Sequence, residues 1–184
     1  FHHNFWKVGH DGIIYLTAGE QILNGDGKNV LLVNAPVGGP IMYAGINSFF
    51  NDGFFTMKLV SVLSSTGMVF LSYNIMRNVF DSKIALAGQL LFAFFPWVGL
   101  FAIQAENEMF PLFLVMFSLY FITKKHLRIY EIVIIGSLIG IAFMFRAQPI
   151  VVLFTAIIYL LIRNSNIRIN LYHVGLILAF FISL

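Results

Sequence analysis

Ile129-Tyr-Glu-Ile-Val-Ile-Ile-Gly-Ser-Leu-Ile-Gly-Ile-Ala-Phe-Met-Phe-Arg146-Ala-Gln-Pro149-Ile-Val-Val-Leu-Phe-Thr-Ala-Ile-Ile-Tyr-Leu-Leu-Ile162 is one apolar stretch of 34 residues. Only Glu131, Arg146, Gln148 and Pro149 interrupt it. As a single helix it would be about 51 Å long at 1.5 Å per residue, far more than a hydrocarbon core of about 30 Å requires. Two shorter passes that turn at Arg146-Ala-Gln-Pro149 fit better, because proline breaks a helix and an arginine in mid-membrane is costly. Charge placement supports the turn. With it, Arg77, Lys83, Lys124, Lys125, Arg128, Arg163 and Arg168 fall on one side, seven of the eleven basic residues. Six of the eight acids fall on the other, so the basic side is expected to be cytoplasmic. A single long helix would put Arg163 and Arg168 outside and spoil that pattern.

Composition points the same way. Of 184 residues, 59% are hydrophobic and 10% charged, against about 45–50% and about 25% in a soluble domain. The mean hydropathy is +0.88. So few charges cannot cover a water-soluble globule of this size, and an integral membrane protein is expected. Intrinsic disorder is excluded by the same numbers. With no cysteine, disulfide scaffolds, thiolate zinc sites and CxxC redox chemistry are excluded as well. The net charge of +3 matters here through its distribution across the bilayer, and no nucleic-acid partner is expected.

Outward from the decisive stretch, the other apolar runs are sharply punctuated. Spans are expected over about 56–76, 84–103, 109–123, 129–146, 149–162 and 169–184, the last one truncated. The connecting loops 77–83, 124–128 and 163–168 are expected to be cytoplasmic. Residues 1–55 read as an extracytoplasmic segment rich in glycine and turn residues. Within it Asp11–Leu23 (about 11–24 with its stop) reads as an amphipathic interfacial helix. Ile14, Ala18 and Ile22, with Ile13 and Thr17, lie near one face, Asp11 stands at the N-cap, and Asn24-Gly25 supplies the stop. Thirteen residues are too few to span. The expected fold is therefore an all-α membrane protein, a polytopic transmembrane helix bundle with one extracytoplasmic juxtamembrane helix near its N-terminus. The chain starts at Phe1 and stops inside the apolar run Val174–Leu184, so a piece of a longer protein, incomplete at both ends, is expected.

Three features gather on the expected outer face. Asp11 can act as a general base toward an attacking hydroxyl, or can simply cap its helix, and the two roles are compatible. Tyr15 follows one turn later and is expected to contact substrate beside it. Glu106 and Glu108 stand two apart in a short loop and cannot share a helix face. They are either ordinary acids of a translocated loop or groups that bind substrate or a cation. A divalent ion, Mg²⁺ or Mn²⁺, would draw on Asp11, Glu106 and Glu108 if these converge. Arg146 is an isolated cation at a membrane edge. Its fork of donors suits a lipid phosphate, and the bland alternative is snorkelling to the headgroups.

The order of these features resembles the polytopic GT-C glycosyltransferases, in particular the branch of the protein mannosyltransferases and the lipid A aminoarabinose transferase. His10-Asp-Gly-Ile-Ile-Tyr-Leu-Thr-Ala-Gly-Glu-Gln-Ile-Leu-Asn-Gly25 is similar to that family's first outer loop. Asn34-Ala-Pro-Val-Gly-Gly-Pro-Ile-Met-Tyr43 resembles its proline-rich approach to the next membrane helix. Phe95-Pro-Trp97 through Gln104-Ala-Glu-Asn-Glu108, then Gly136 to Arg146, resemble the second outer loop and a later Gly-x-x-x-Gly helix ending in arginine. The resemblance implies transfer of a hexose or pentose, with inversion, from a polyprenyl- or dolichyl-phosphate donor to a hydroxyl of a lipid, glycan or protein acceptor. It makes Asp11 the base, Arg146 the holder of the carrier phosphate, and Glu106 or Glu108 an orienting group or cation ligand. A transporter or flippase for a lipid-linked or anionic substrate is the alternative, with Arg146, Glu106 and Glu108 along its path.

Overall fold

The computed structural model describes residues 10–26, 36–104, 108–163 and 169–183. All regular structure among them is helical: α1 (His10–Leu23), α2 (Gly38–Phe50), α3 (Gly53–Val79), α4 (Ser82–Ala93), α5 (Pro96–Ile103), α6 (Met109–Ile122), α7 (Ile129–Phe145), α8 (Pro149–Arg163) and α9 (Ile169–Ile182).

The helix ends follow local chemistry. Asp52 accepts from the Phe55 amide at 2.9 Å and starts α3. Asp81 accepts from Lys83 and Ile84, both at 2.9 Å, and starts α4. Glu131 reaches back to the Arg128 amide at 2.8 Å in a capping box that starts α7. At the end of α1, Asp26 N–H donates to Gln21 and Gly25 N–H to Ile22, with Gly25 at φ +87°. This is the Schellman arrangement, in which a glycine takes the left-handed conformation at no steric cost.

Four points differ from the sequence expectation. First, α1 begins at His10, so Asp11 lies inside its first turn rather than at the N-cap. Second, α1 has a helical partner that the sequence reading did not anticipate. It pairs with α2, burying Gly12, Tyr15, Ala18 and Gly19 and leaving Ile13 exposed. A Cβ on Gly19 would stand 3.3 Å from the Pro40 carbonyl oxygen, so the small residues decide the buried face. Third, α2 starts at Gly38, inside the Ala35–Pro40 stretch whose glycines and prolines read as turn-rich. Pro40 is compatible with it because a first-turn N–H has no intrahelical acceptor to lose. Fourth, the span expected over 84–103 is broken. The α4 and α5 axes bend by 50° where Pro96 opens α5.

Among the described residues α3 is the one helix long and apolar enough to cross a bilayer, and the bent pair α4–α5 could make a second crossing. The apolar helices α6 and α7 and the Pro149–Leu160 part of α8 are shorter.

The largest core lies among α6, α7, α8 and α9, around Ile132, Ile135, Ile139, Leu153, Leu160, Leu176 and Phe180. Helix α7 approaches α9 through Gly136 and Gly140. A Cβ on Gly136 would come within 2.8 Å of the Ala179 side chain, and one on Gly140 within 2.7 Å of the Phe180 carbonyl oxygen. Small residues four apart are what let two helix backbones approach this closely. A second, smaller core joins Tyr15, Tyr43 and Met57 of α1, α2 and α3.

Candidate functional site

Helices α6 and α7 run antiparallel and are tied at both ends. At one end the Lys124 Nζ donates to Glu131 Oε1 at 2.8 Å. Asn78 at the end of α3 donates to Thr123 Oγ1 at 3.0 Å beside it. The turn between α6 and α7 carries Lys125 and Arg128, Lys83 stands in the first turn of α4 and Arg77 in the last turn of α3. The hydrogen bond to Glu131 holds the Lys124 pKa above the usual lysine range.

At the other end the chain leaves α7 at Arg146, whose backbone turns extended (φ −154°, ψ 149°) before Pro149 opens α8. The Arg146 guanidinium is ion-paired with the Glu108 carboxylate just before α6. Arg146 and Glu108 retain 31% and 22% of their side-chain exposure, whereas Glu131 in the opposite pair retains 6%. A pair this open to its surroundings contributes about 0–1 kcal/mol, so either partner can exchange its counter-charge cheaply.

The Arg146–Glu108 pair sits in the wall of a cavity of about 300 Å³. Its remaining lining is Pro111, Leu112 and Val115 of α6, with Gln148, Pro149 and Val152 from the start of α8. On α6 the lining positions follow 108, 111, 112 and 115, the spacing of one helix face. The result is an apolar cleft with a cation, a carboxylate and an amide in its wall. Such a shape suits an anionic head on an apolar tail. The Gly38 start of α2 packs against the end of α7, since a Cβ there would lie 2.9 Å from the Met144 carbonyl carbon and oxygen.

Of the expected site residues, the structure therefore brings Arg146 and Glu108 together. Tyr15 is elsewhere, buried against Tyr43 and Met57 and absent from the cleft wall. The Asp11 side chain and Glu106 lie outside the described residues. Among the described residues no three His, Cys, Asp or Glu side chains gather, and the cation triad Asp11, Glu106 and Glu108 involves those two groups.

Sequence reasoning missed the two apolar walls, although the i, i+3, i+4, i+7 spacing from Glu108 was there to read. It also missed a polar seam under α2. The Tyr43 hydroxyl, the Asn47 carboxamide oxygen and the Thr56 hydroxyl are buried with no hydrogen-bond partner among the described residues. Burial, and after it the Tyr15 phenol, push the Tyr43 pKa well above the usual tyrosine range.

Compared with known protein families, residues 34–184 match dolichyl-phosphate-mannose-protein mannosyltransferase. The chain belongs to that family. No curated protein and no solved structure gave a match. Membership makes this mannosyltransferase-family chain part of an integral membrane glycosyltransferase lineage whose donors are polyprenyl-phosphate sugars. The matched residues include α2, Glu108, Arg146 and all the described residues that line the cleft. They begin after the His10–Gly25 stretch, so Asp11 stands on the sequence resemblance alone.

Proposed function

We propose that the protein transfers a sugar from a polyprenyl- or dolichyl-phosphate donor to an acceptor hydroxyl at the extracytoplasmic face, with inversion at the anomeric carbon. The observation that carries this reading is the Arg146–Glu108 pair in the wall of an apolar cleft, in a chain of this family. The Lys124 end of the bundle, with its cluster of Lys and Arg, is then cytoplasmic and the Arg146 end extracytoplasmic. The apolar helices cross in several passes, with residues 1–55 outside.

The chemistry assigns each group a task. Asp11 takes the proton of the acceptor hydroxyl. The acceptor oxygen attacks the anomeric carbon from the face opposite the phosphate, and the bond from that carbon to the phosphate oxygen breaks. The phosphate thereby passes from a diester with one negative charge to a monoester approaching two. A guanidinium beside it gains most as that charge develops, which is how binding becomes catalysis. Pro111, Leu112, Val115 and Val152 take the first isoprene units of the carrier, and Glu106 orients the incoming acceptor. A divalent ion, Mg²⁺ or Mn²⁺, would add charge neutralisation at the carboxylates. Family membership favours transfer over transport.

Two substitutions test the assignment. Asp11→Asn is expected to abolish transfer while the protein stays folded and inserted, and substantial remaining turnover would remove Asp11 as the base. Arg146→Ala should weaken use of the lipid donor more than Arg146→Lys. Wild-type donor dependence in both would end the phosphate assignment.

A further inference from the structure

Four acids with described side chains stand at or near helix starts, and three of them cap. Asp52, Asp81 and Glu131 each accept backbone N–H groups of their own helix or its cap residue. Glu108 occupies the N-cap of α6 and makes no side-chain cap hydrogen bond there. Its carboxylate reaches across to Arg146 instead. An acid at an N-cap ordinarily gains from the amides and dipole of its own helix. Here that local interaction is forgone for a partner 38 positions away.

A carboxylate and a phosphate present the same thing to a guanidinium, paired oxygens with negative charge, and both accept its parallel donors. Both residues of the pair line the cleft. A phosphate that reached Arg146 there would meet Glu108 already on it.

We propose that Glu108 is an internal stand-in for the donor phosphate. It holds Arg146 while the cleft is empty, is displaced when the polyprenyl phosphate enters, and returns to help expel the carrier after transfer. The proposal rests on the phosphate reading of Arg146 and adds a function for its partner. Displacement makes the donor affinity lower than Arg146 alone would give, by the fraction of time that Arg146 is released. Return of the carboxylate opposes the more highly charged product more strongly than the donor, so it favours release.

The test uses the full-length protein in lipid nanodiscs and a short-chain polyprenyl phosphate without sugar as the probe. Glu108→Gln keeps the side-chain size and removes the charge. It is expected to tighten probe binding by about three- to tenfold, to lower the donor KM and to strengthen inhibition by the released carrier. In an Arg146→Ala background the same substitution should leave probe binding unchanged. Weaker or unaltered binding by Glu108→Gln, with Arg146→Ala still damaging, would overturn the stand-in role and leave Arg146 as the phosphate group. Unaltered probe binding by Arg146→Ala would overturn both. Glu108→Ala serves as a second variant, and its thermal unfolding reports whether the start of α6 has been disturbed.

Discussion

The two ends of the α6–α7 pair carry the same kind of bond and use it differently. At one end Lys124 meets Glu131, which is almost wholly buried and also caps α7. At the other Arg146 meets Glu108, which is partly open, caps nothing and lines a cleft. A buried carboxylate with both oxygens engaged and little access from outside is poorly placed to take a ligand. Removing one partner leaves a charge that nothing else neutralises. A half-open pair gives up little on separation, so its members remain available to a third charged group. An ion pair seen in a structure therefore says little about function until the burial and the other obligations of each partner are counted.

The comparison can be broken at several points. The largest effect should come from the open end. Arg146→Ala is expected to lower kcat/KM for the lipid donor by about 100-fold or more, the range seen when a group that stabilises developing charge is removed. Thermal unfolding should shift little. If instead the unfolding temperature collapses and kcat/KM of the surviving protein is normal, the open pair is structural and the contrast fails.

The closed end should answer in the opposite sense. Lys124→Met leaves Glu131 buried without its ammonium partner and should cost about 1–3 kcal/mol of stability. Donor KM should not move. A measured change in donor KM would mean that the two ends are coupled.

A third effect is confined to alkaline solution. The folded protein holds the Lys124 pKa above its ordinary value, so the proton is bound more tightly folded than unfolded. The pair's contribution is complete below the ordinary lysine value of about 10.4 and is lost as pH rises through the raised one. The stability gap between wild type and Lys124→Met should be flat near neutrality and close only in strongly alkaline solution. A gap that closes between pH 6 and 8, roughly the histidine range, would point to another group.

The smallest effect concerns the seam under α2. Thr56→Val and Tyr43→Phe each remove a buried hydroxyl that has no partner, so each should be neutral or slightly stabilising, within about 1 kcal/mol. A loss larger than that in either variant would show that the hydroxyl is satisfied in the folded protein.

Much of the helix layout was legible in the linear chain because it depends on neighbours. Pro149 and Arg146 end one helix and begin the next whatever surrounds them, and Asn24-Gly25 stops α1 by a local left-handed turn. Less could be read where a local preference had two outcomes. Pro36-Val-Gly-Gly-Pro40 is as compatible with a turn as with a helix start. Packing of Tyr43 and Gly38 against α1, α3 and α7 favours the helix. The buried face of α1 was misread for the same reason. Hydropathy favoured the isoleucines, while close approach to α2 selected glycine, alanine and tyrosine.

For the site, the sequence by itself singled out Arg146 as a charge in apolar surroundings, and it named Glu108 only together with Glu106, Asp11 and Tyr15. It also determined that the chain is a helical membrane protein, because composition and period need no partner to be read. Only the tertiary structure decided that Arg146 and Glu108 pair in the wall of a cleft while Tyr15 is buried elsewhere. Pairing across 38 residues depends on how α6, α7 and α8 pack, and that packing is set by contacts far apart in the chain.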